Sequence, residues 1–442
     1  MSDIRTTFPA PCGPITGWSD GTVVRATGIP YGTAARFAAP AAAPDRTDPL
    51  DATTWSPVSP QPRVPRLEKL LGAGAAPMPA DEDCLRVSIT MPADAAPDAA
   101  LPVMVFVHGG SYVAGGGDNP LHDPARLVAE QGVVAVNVTY RLGLLGFLGD
   151  GTTRPANLGL LDIRLALAWV RRNIAAFGGD PSRVTAFGES AGADALAHLL
   201  ATSDVASLVD RVILQSTPLG IRAGRAAMSA EMFAEAADLT AETPLDEILE
   251  RQPRVSAAAG AFGLTSAMPF GVQYGHAPLP DESGIEEAWE ASAGIPLLVG
   301  FNSNESRLFI PDLPKIGALT RVPVIGPLVM RAVDRALTRK VYSAPAKELA
   351  TRRARAGGDA WLYEISWGAR GNSYRAAHTI DLALLLGNEA STEGSMLLAG
   401  ATWAEIDEAG RGVRQAWADF ARGELADAGR LDGIIRWERV AA

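Results

Sequence analysis

The sequence predicts an α/β fold built on a twisted, mostly parallel central sheet with helices on both faces. Short runs rich in β-branched residues alternate with longer segments of helical periodicity. Several runs are apolar throughout, which is typical of parallel strands covered by helices on each side. Six runs are predicted as strands: residues 103–108, 133–140, 184–187, 212–215, 296–301 and 361–367.

The segments around these strands complete the predicted domain. Residues 160–174 carry apolar residues at helical spacing and are predicted as a crossover helix between the second and third strands. The first hundred residues are rich in Pro, Gly and Ala, which favours an antiparallel edge with long loops rather than a separate domain. We expect a single domain over residues 1–442, with helical cap-like insertions near 222–290 and 309–360.

The segment 328–342 is predicted as an amphipathic helix. Its apolar face would carry Leu328, Val329, Val333, Ala336, Leu337 and Val341, and its charged face Arg331, Asp334, Arg335 and Arg339. Three interpretations are open: a surface helix packed on the body, a lid over an active-site gorge, or a helix that contacts a membrane.

Composition excludes several classes of protein. The chain has 442 residues, of which 47% are hydrophobic and 20% charged, so it can bury a large core and is not disordered. Its apolar runs are much shorter than the ~20 residues of a membrane span. The 39 Lys and Arg against 50 Asp and Glu give a net charge of −11, which repels phosphate backbones and anionic membranes, so nucleic acid is not an expected partner.

The N-terminal residues and the cysteines predict a cytoplasmic protein. The first residues contain no continuous apolar core of the kind found in secretory signals. The only two cysteines, Cys12 and Cys84, are too few for a disulfide-stapled fold or a structural zinc site. We expect two free thiols and no bound metal.

The segment Gly188-Glu-Ser190-Ala-Gly192 matches the pattern G-x-S-x-G. It follows the predicted strand 184–187 and precedes a helical run at 191–200. A serine on such a sharp strand-to-helix turn presents its hydroxyl above the sheet, and the helix N-terminus favours developing negative charge. This context predicts Ser190 as a nucleophile; the alternative is a tight turn without a catalytic role.

A glycine-rich loop, His108-Gly109-Gly110-Ser111-Tyr112, directly follows the first predicted parallel strand. Acyl transfer requires backbone N–H donors aimed at a tetrahedral oxyanion, and in α/β-hydrolases such a loop supplies them together with the residue after the nucleophile. The predicted oxyanion hole is therefore formed by Gly110, Ser111 and Ala191, with Gly109 in a supporting role. The alternative is a glycine-rich strand exit.

The nucleophile requires a base, and the chain contains five histidines: His108, His122, His198, His276 and His378. His198 lies eight residues beyond Ser190 on the same helix, about 12 Å away, and cannot reach the hydroxyl. His108 belongs to the oxyanion loop and is better placed to orient it. His378 follows the strand 361–367 and fits the order nucleophile, acid, histidine. The two remaining histidines, in Pro-rich loops, stay as alternatives.

The acid is expected between the nucleophile and the histidine, on a loop that leaves a strand. Glu305 lies at such an exit, directly after the strand 296–301. Asp312 and Asp281 stay as alternatives to Glu305, although neither of them directly ends a strand pattern.

These residues and their surroundings resemble the type-B carboxylesterase and cholinesterase-like family of α/β-hydrolases. The similar segments include Gly28-Ile-Pro-Tyr31, Glu82-Asp-Cys-Leu85, His108-Gly-Gly110, Tyr140-Arg-Leu-Gly143, Asn157-Leu-Gly-Leu-Leu-Asp162, Phe177-Gly-Gly-Asp-Pro181 and Phe187-Gly-Glu-Ser-Ala-Gly192. The resemblance implies an α/β-hydrolase fold and a Ser-Glu-His triad, because the family's G-x-N-x-x-E falls on Glu305 and its H-x-x-[ED]-L on His378. It implies no metal or organic cofactor, and a monomer or homodimer.

The chain departs from the family pattern at several positions. Ser111 stands where Gly or Ala is usual, which makes the floor of the site more polar. Ala195 replaces a serine that commonly supports the acid, so the support of Glu305 is in question. Cys84 matches a cysteine that secreted relatives pair with an upstream partner, yet residues 61–83 contain none. The stretch 309–361 is also shorter than usual.

The predicted function is hydrolysis of a small-molecule carboxylic ester through an acyl-enzyme. One alternative is an amidase, a carbamate hydrolase or a biosynthetic tailoring enzyme on the same scaffold. A minor alternative is a non-catalytic binding protein, since cholinesterase-like domains also serve as adhesion modules.

Overall fold

A computed structural model describes residues 4–96, 98–313 and 315–442. The strands of the first part of the chain are β1 (Ile4–Ala10), β2 (Gly13–Ser19), β3 (Val23–Pro30), β4 (Gly32–Thr33), β5 (Ala41–Ala42), β6 (Leu50–Asp51) and β7 (Arg86–Pro92). Those of the remainder are β8 (Leu101–Val107), β9 (Val134–Val138), β10 (Gly179–Glu189), β11 (Arg211–Gln215), β12 (Leu297–Asn302), β13 (Ala360–Ile365), β14 (Ala428–Leu431) and β15 (Ile435–Arg439).

The helices connect and cover these strands. The first seven are α1 (Pro65–Leu71), α2 (Ala125–Gln131), α3 (Gly143–Gly146), α4 (Leu158–Asn173), α5 (Ala191–Leu199), α6 (Arg225–Ala234) and α7 (Leu245–Ala258). The others are α8 (Ile285–Ala291), α9 (Ile316–Leu319), α10 (Gly326–Thr338), α11 (Ala344–Arg355), α12 (Ile380–Leu385), α13 (Glu389–Thr392) and α14 (Trp403–Arg422). None of the helices in the described part of the chain has the length and apolarity that a membrane-spanning helix requires.

The central sheet has the strand order β1-β2-β3-β7-β9-β8-β10-β11-β12-β13-β15-β14. The six strands from β9 to β13 pair in parallel, and they correspond to the six predicted strands. The N-terminal edge, β1, β2, β3 and β7, is antiparallel, as the composition of the first hundred residues predicts. The predicted fold class is therefore confirmed.

The hydrophobic core lies on both faces of this sheet. Alternate residues of β8 face opposite ways: Val103 and Val105 belong to one apolar cluster, Met104 and Phe106 to the other. The first cluster is covered by α4 and α5, and the second by α2, α12 and α14. Because parallel strands end at the same edge of a sheet, the loops after β8, β10, β12 and β13 meet there.

The predicted amphipathic helix is found as α10 and the turn that follows it, but a different face is covered. Leu328, predicted on the packed apolar face, is 67% exposed. Asp334, predicted on the charged face, is buried, because it accepts hydrogen bonds from Arg307 Nε at 3.1 Å and Asn304 Nδ2 at 2.8 Å. Periodicity identifies the helix but not the neighbour that a polar side chain meets.

Candidate active site

Ser190 lies at the turn between β10 and α5. Its backbone has φ 56° and ψ −121°, a conformation that L-residues rarely adopt and that is found where the surrounding structure enforces it. The turn is held against the sheet by a hydrogen bond from Ser190 N to Gln215 O at 2.9 Å. A Cβ at Gly192 would collide with the Val107 carbonyl, so only glycine fits this close approach to β8. The Ser190 side chain is presented at the edge of the sheet.

The structure brings together the three residues predicted as a triad. His378 Nε2 lies 2.9 Å from Ser190 Oγ, and His378 Nδ1 lies 2.6 Å from Glu305 Oε2. All three side chains are buried, and they come from the loops after β10, β12 and β13. The Ser190 hydroxyl can donate to Nε2 while Nδ1–H donates to the carboxylate, which is the arrangement that activates a serine.

Glu305 is supported by the backbone of its own strand. Its second carboxylate oxygen, Oε1, accepts a hydrogen bond from Asn302 N at 2.7 Å. Ala195, which replaces the serine expected to help, is buried on α5. The missing serine therefore does not leave the carboxylate unsupported, because an amide three residues earlier takes up its other oxygen.

The histidine loop is anchored through Asp381. Its buried carboxylate accepts hydrogen bonds from Gln215 Nε2 at 2.5 Å and from Asn302 Nδ2 at 3.0 Å. Gln215 Oε1 in turn accepts from Trp417 Nε1 at 3.2 Å. This network ties the start of α12 to β11, β12 and α14, and thereby fixes the loop that carries His378. Asp381 is the acidic residue of the H-x-x-[ED]-L pattern, and the sequence analysis assigned it no role.

A second buried carboxylate, Glu189, adjoins the triad. Its Oε1 atom lies 3.2 Å from His378 Nε2 and accepts no hydrogen bond from a described residue. Burial raises the pKa of Glu189. Burial lowers the pKa of His378, but the nearby Glu189 and Glu305 carboxylates outweigh it and raise that pKa overall. The sequence analysis gave Glu189 no role, although it occupies the position directly before the serine in the G-x-S-x-G pattern.

Two aromatic rings flank the imidazole. The centroids of Phe309 and Tyr342 each lie 5.3 Å from that of His378. Phe309 follows the Glu305 turn, and Tyr342 comes from the turn after α10. They are tilted to the imidazole by 51° and 41° and reduce the space in which it can turn.

The glycine-rich loop lies against the nucleophile. A Cβ on Gly109 would come within 3.1 Å of the Ser190 Cβ, and Gly110 and Ser111 adopt positive φ values of 105° and 55°. The backbone N–H groups of Gly110 and Ser111 donate to no described residue. Ala191 is the first residue of α5, so its N–H has no intrahelical acceptor either.

The other predicted candidates are placed elsewhere or serve other contacts. His108 Nδ1 contacts the Gly109 carbonyl at 2.8 Å and its ring stacks on Tyr140, which fits a role in shaping the loop. His198 is buried between Asp194 O and Tyr274 OH. His122 lines the cavity described below but contacts Gly116 O, whereas His276 packs on Gly151. Of the alternative acids, Asp312 pairs with Arg66 and Asp281 lies beside Gly275.

A cavity of about 390 Å³ opens in front of Ser190 and His378. Its lining is largely apolar and includes Leu67, Leu70, Met78, Leu121, Leu308 and Leu382. Three of these residues come from α1 and the segment after it, more than one hundred positions before the serine. This volume falls within the range of pockets that hold a small molecule.

The fold and this site define an α/β-hydrolase. The sequence model described as "Carboxylesterase family" matches residues 5–321. The chain is 36% identical to a probable N-octanoylanthranilate hydrolase, AqdA2, of Rhodococcus erythropolis over 95% of this chain and 94% of the relative. It is 32% identical to a para-nitrobenzyl esterase of Bacillus subtilis over 93% and 88% of the two chains. A solved thermophilic PNB esterase superposes with a TM-score of 0.80 at 29% identity, covering 99% of this chain and 98% of the other.

The chain therefore belongs to the carboxylesterase family, and it is a hydrolase of carboxylic esters. The family resemblance drawn from the sequence motifs is confirmed.

Proposed function

We propose that Ser190, Glu305 and His378 form the catalytic triad, and that the N–H groups of Gly110, Ser111 and Ala191 form the oxyanion hole. The observation that carries this proposal is the continuous hydrogen-bonded line from Ser190 Oγ through the imidazole to Glu305. The substrate is a small-molecule ester with an apolar acyl group, because the cavity in front of the serine is largely apolar.

In the first half-reaction, Ser190 Oγ bonds to the ester carbonyl carbon as its proton passes to His378 Nε2. The carbonyl oxygen becomes an anion that accepts hydrogen bonds from the three backbone N–H groups. Glu305 accepts from Nδ1–H, holds the tautomer and stabilises the imidazolium. The bond to the leaving oxygen then breaks, and the proton on Nε2 passes to the departing alcohol. In the second half-reaction, His378 Nε2 takes a proton from water as the water oxygen bonds to the acyl carbon. The bond from that carbon to Ser190 Oγ then breaks, and the proton passes from Nε2 to Oγ as the acid leaves.

The direct test is labelling with a fluorophosphonate probe, followed by mass mapping of the labelled peptide. The probe reports an activated serine without knowledge of the natural substrate. We expect the adduct on Ser190 and its loss in His378→Ala. An adduct on another serine, or labelling that survives in His378→Ala, would refute the assignment.

A second candidate is hydrolysis of N-acyl amides. It is favoured by the 36%-identical relative, a probable hydrolase of N-octanoylanthranilate, in which the octanoyl group is carried on nitrogen. An octanoyl ester and the octanoyl amide of the matching amine would separate the two functions. We expect ester turnover to exceed amide turnover; the reverse order would establish the amidase.

Glu189→Gln is expected to move the acidic limb of the kcat/KM profile to lower pH. The limb reports His378, because an imidazolium cannot accept the serine proton. In the unmodified chain the neighbouring carboxylates raise the pKa of His378, so the limb lies above the usual histidine value of about 6.5. Above the raised pKa of Glu189, about 8, the glutamine removes a negative charge 3.2 Å from Nε2, so the pKa of His378 falls. Profiles of the variant and of a control at an exposed position, Glu250→Gln, test this; an unmoved limb would contradict it.

We also propose that the helical segments 222–290 and 309–360 are insertions in one hydrolase domain. This is supported by the single sheet, which continues from β11 to β12 and from β12 to β13 across them.

A cytoplasmic location is supported by Cys12 and Cys84, both free thiols.

A further inference from the structure

The surface formed by residues 315–340 exposes an unusual concentration of apolar side chains. Among the described residues, eight large apolar side chains are substantially exposed. Five of them lie within ten consecutive positions: Leu319, Val322, Val324, Ile325 and Leu328. Val324 is 84% exposed and has a positive φ of 71°, so the loop before α10 presents it outward. Contiguous exposed apolar patches of this kind mark sites of interaction.

The same surface is strongly cationic. It carries six exposed basic residues: Lys315, Arg321, Arg331, Arg335, Arg339 and Lys340. None of them pairs with a carboxylate among the described residues. The single acid, Asp334, is buried against Arg307. The segment 315–340 therefore has a formal charge of +5, although the whole chain has −11. At physiological salt, charges are screened beyond about 8 Å. A partner bound to this surface therefore experiences the local positive charge rather than the net charge of the chain.

On the exposed face of α10, a stripe of basic residues continues from an exposed apolar side chain. On α10 and the turn after it, Leu328, Arg331, Arg335 and Arg339 are all exposed, at spacings of three and four residues. Long arginine side chains can lie along apolar surface and hold their guanidinium groups at the level of headgroups.

This surface adjoins the mouth of the active-site cavity. Phe309 lines the cavity, lies beside His378 and is 37% exposed. The turn Ile310–Asp312 follows it, and α9 packs closely on that turn, because a Cβ at Gly317 would collide with the Pro311 carbonyl. A partner bound to the 315–340 surface is therefore brought next to the entrance.

We propose that the 315–340 surface docks the enzyme on an anionic phospholipid surface. The exposed apolar residues insert among the lipids, and the six cations contact the phosphate headgroups. A second copy of the chain fits less well, since a symmetric contact would bring the two sets of cations together. The delivery of apolar esters from the lipid to the cavity rests on the proposed function, whereas the docking itself does not.

Co-sedimentation of the full chain with lipid vesicles tests the docking. We expect binding to vesicles that contain phosphatidylglycerol, weaker binding at raised salt, and little binding to vesicles of phosphatidylcholine alone. The test variant replaces four cations by glutamine: Arg331→Gln, Arg335→Gln, Arg339→Gln and Lys340→Gln. Each cation near an anionic leaflet contributes roughly five-fold to binding, so we expect a loss of at least about a hundred-fold.

A control variant with the same change in net charge distinguishes loss of this surface from a general effect of charge. It replaces four exposed arginines elsewhere: Arg172→Gln, Arg254→Gln, Arg411→Gln and Arg430→Gln. The control should keep vesicle binding within a few-fold of the unmodified chain. Absence of binding, equal binding to neutral vesicles or an equal loss in the control would overturn the proposal. A concentration-dependent dimer that the test variant abolishes, without vesicle binding, would assign the surface to a second copy instead.

Two further measurements separate this proposal from the catalytic one. Ser190→Ala should bind vesicles like the unmodified chain, because the serine lies outside the surface. The four-glutamine variant should still hydrolyse a water-soluble short-chain ester at the unmodified rate, which also shows that it is folded. If the four-glutamine variant folds poorly, the single change Val324→Asp is used instead, at the most exposed of these apolar positions. It should weaken vesicle binding and leave hydrolysis of the water-soluble ester unchanged.

Discussion

Ser190→Ala is expected to lower kcat for a chromogenic ester by roughly 10⁶-fold, as removal of the nucleophile does in serine hydrolases. The variant loses the oxygen that forms the acyl-enzyme, and no other described hydroxyl lies on the line to His378 and Glu305. Folding should be unaffected, because alanine occupies the same strained backbone as serine and only one buried hydroxyl is removed. Steady-state kinetics and thermal unfolding measure the two effects.

The control for this variant is Ser207→Ala, which removes an exposed hydroxyl that contacts only its own turn. It should keep full turnover. If Ser190→Ala retained more than about a hundredth of the activity, that would far exceed the residual activity of a disabled triad. Another residue would then be the nucleophile. A collapse of its thermal transition would show a structural role instead.

Glu305→Gln is expected to lower kcat by roughly 10³- to 10⁴-fold, as loss of the acid does in other triads. The carboxylate accepts two hydrogen bonds, from His378 Nδ1 and from Asn302 N. A glutamine has a single acceptor oxygen, so its NH₂ group must face one of these donors. The imidazole then loses both its fixed tautomer and the negative charge that stabilises its protonated form.

The matched control is Asp312→Asn, the acid that the sequence left as an alternative. Its carboxylate pairs with Arg66 at the surface and does not reach the imidazole. We expect turnover within a few-fold of the unmodified chain. A larger loss in Asp312→Asn than in Glu305→Gln would reverse the assignment of the acid.

The elements predicted best are those whose signal is local. Parallel strands that are buried on both faces leave short, continuous apolar runs, and the structure has a strand at each of the six predicted runs. The positions of Ser190, Glu305 and His378 were open to prediction for a related reason. Each follows a recognisable strand, and strands that run in parallel deliver the loops at their ends to a single edge of the sheet.

Contacts made by the backbone, and contacts between distant segments, escaped prediction. Support for Glu305 comes from a backbone amide, which no residue type reveals, so the replacement by Ala195 looked more damaging than it is. The segment 328–342 was recognised as amphipathic, yet Leu328 is exposed and Asp334 is buried, because Arg307 and Asn304 supply partners from another part of the chain.

The order of apolar runs, turn residues and polar side chains along this chain is enough to predict the α/β-hydrolase fold and to propose Ser190, Glu305 and His378 as its triad. The fold follows from short-range periodicity, and the proposed triad follows from the place of each residue after a strand and from the resemblance to the family. The charge that Glu189 places beside His378, the cavity wall contributed by α1 and the outward face of α10 depend on which segments pack together in three dimensions. They are set by the burial and pairing of residues far apart in the chain, and these determine the electrostatics, the pocket and the surface of the enzyme.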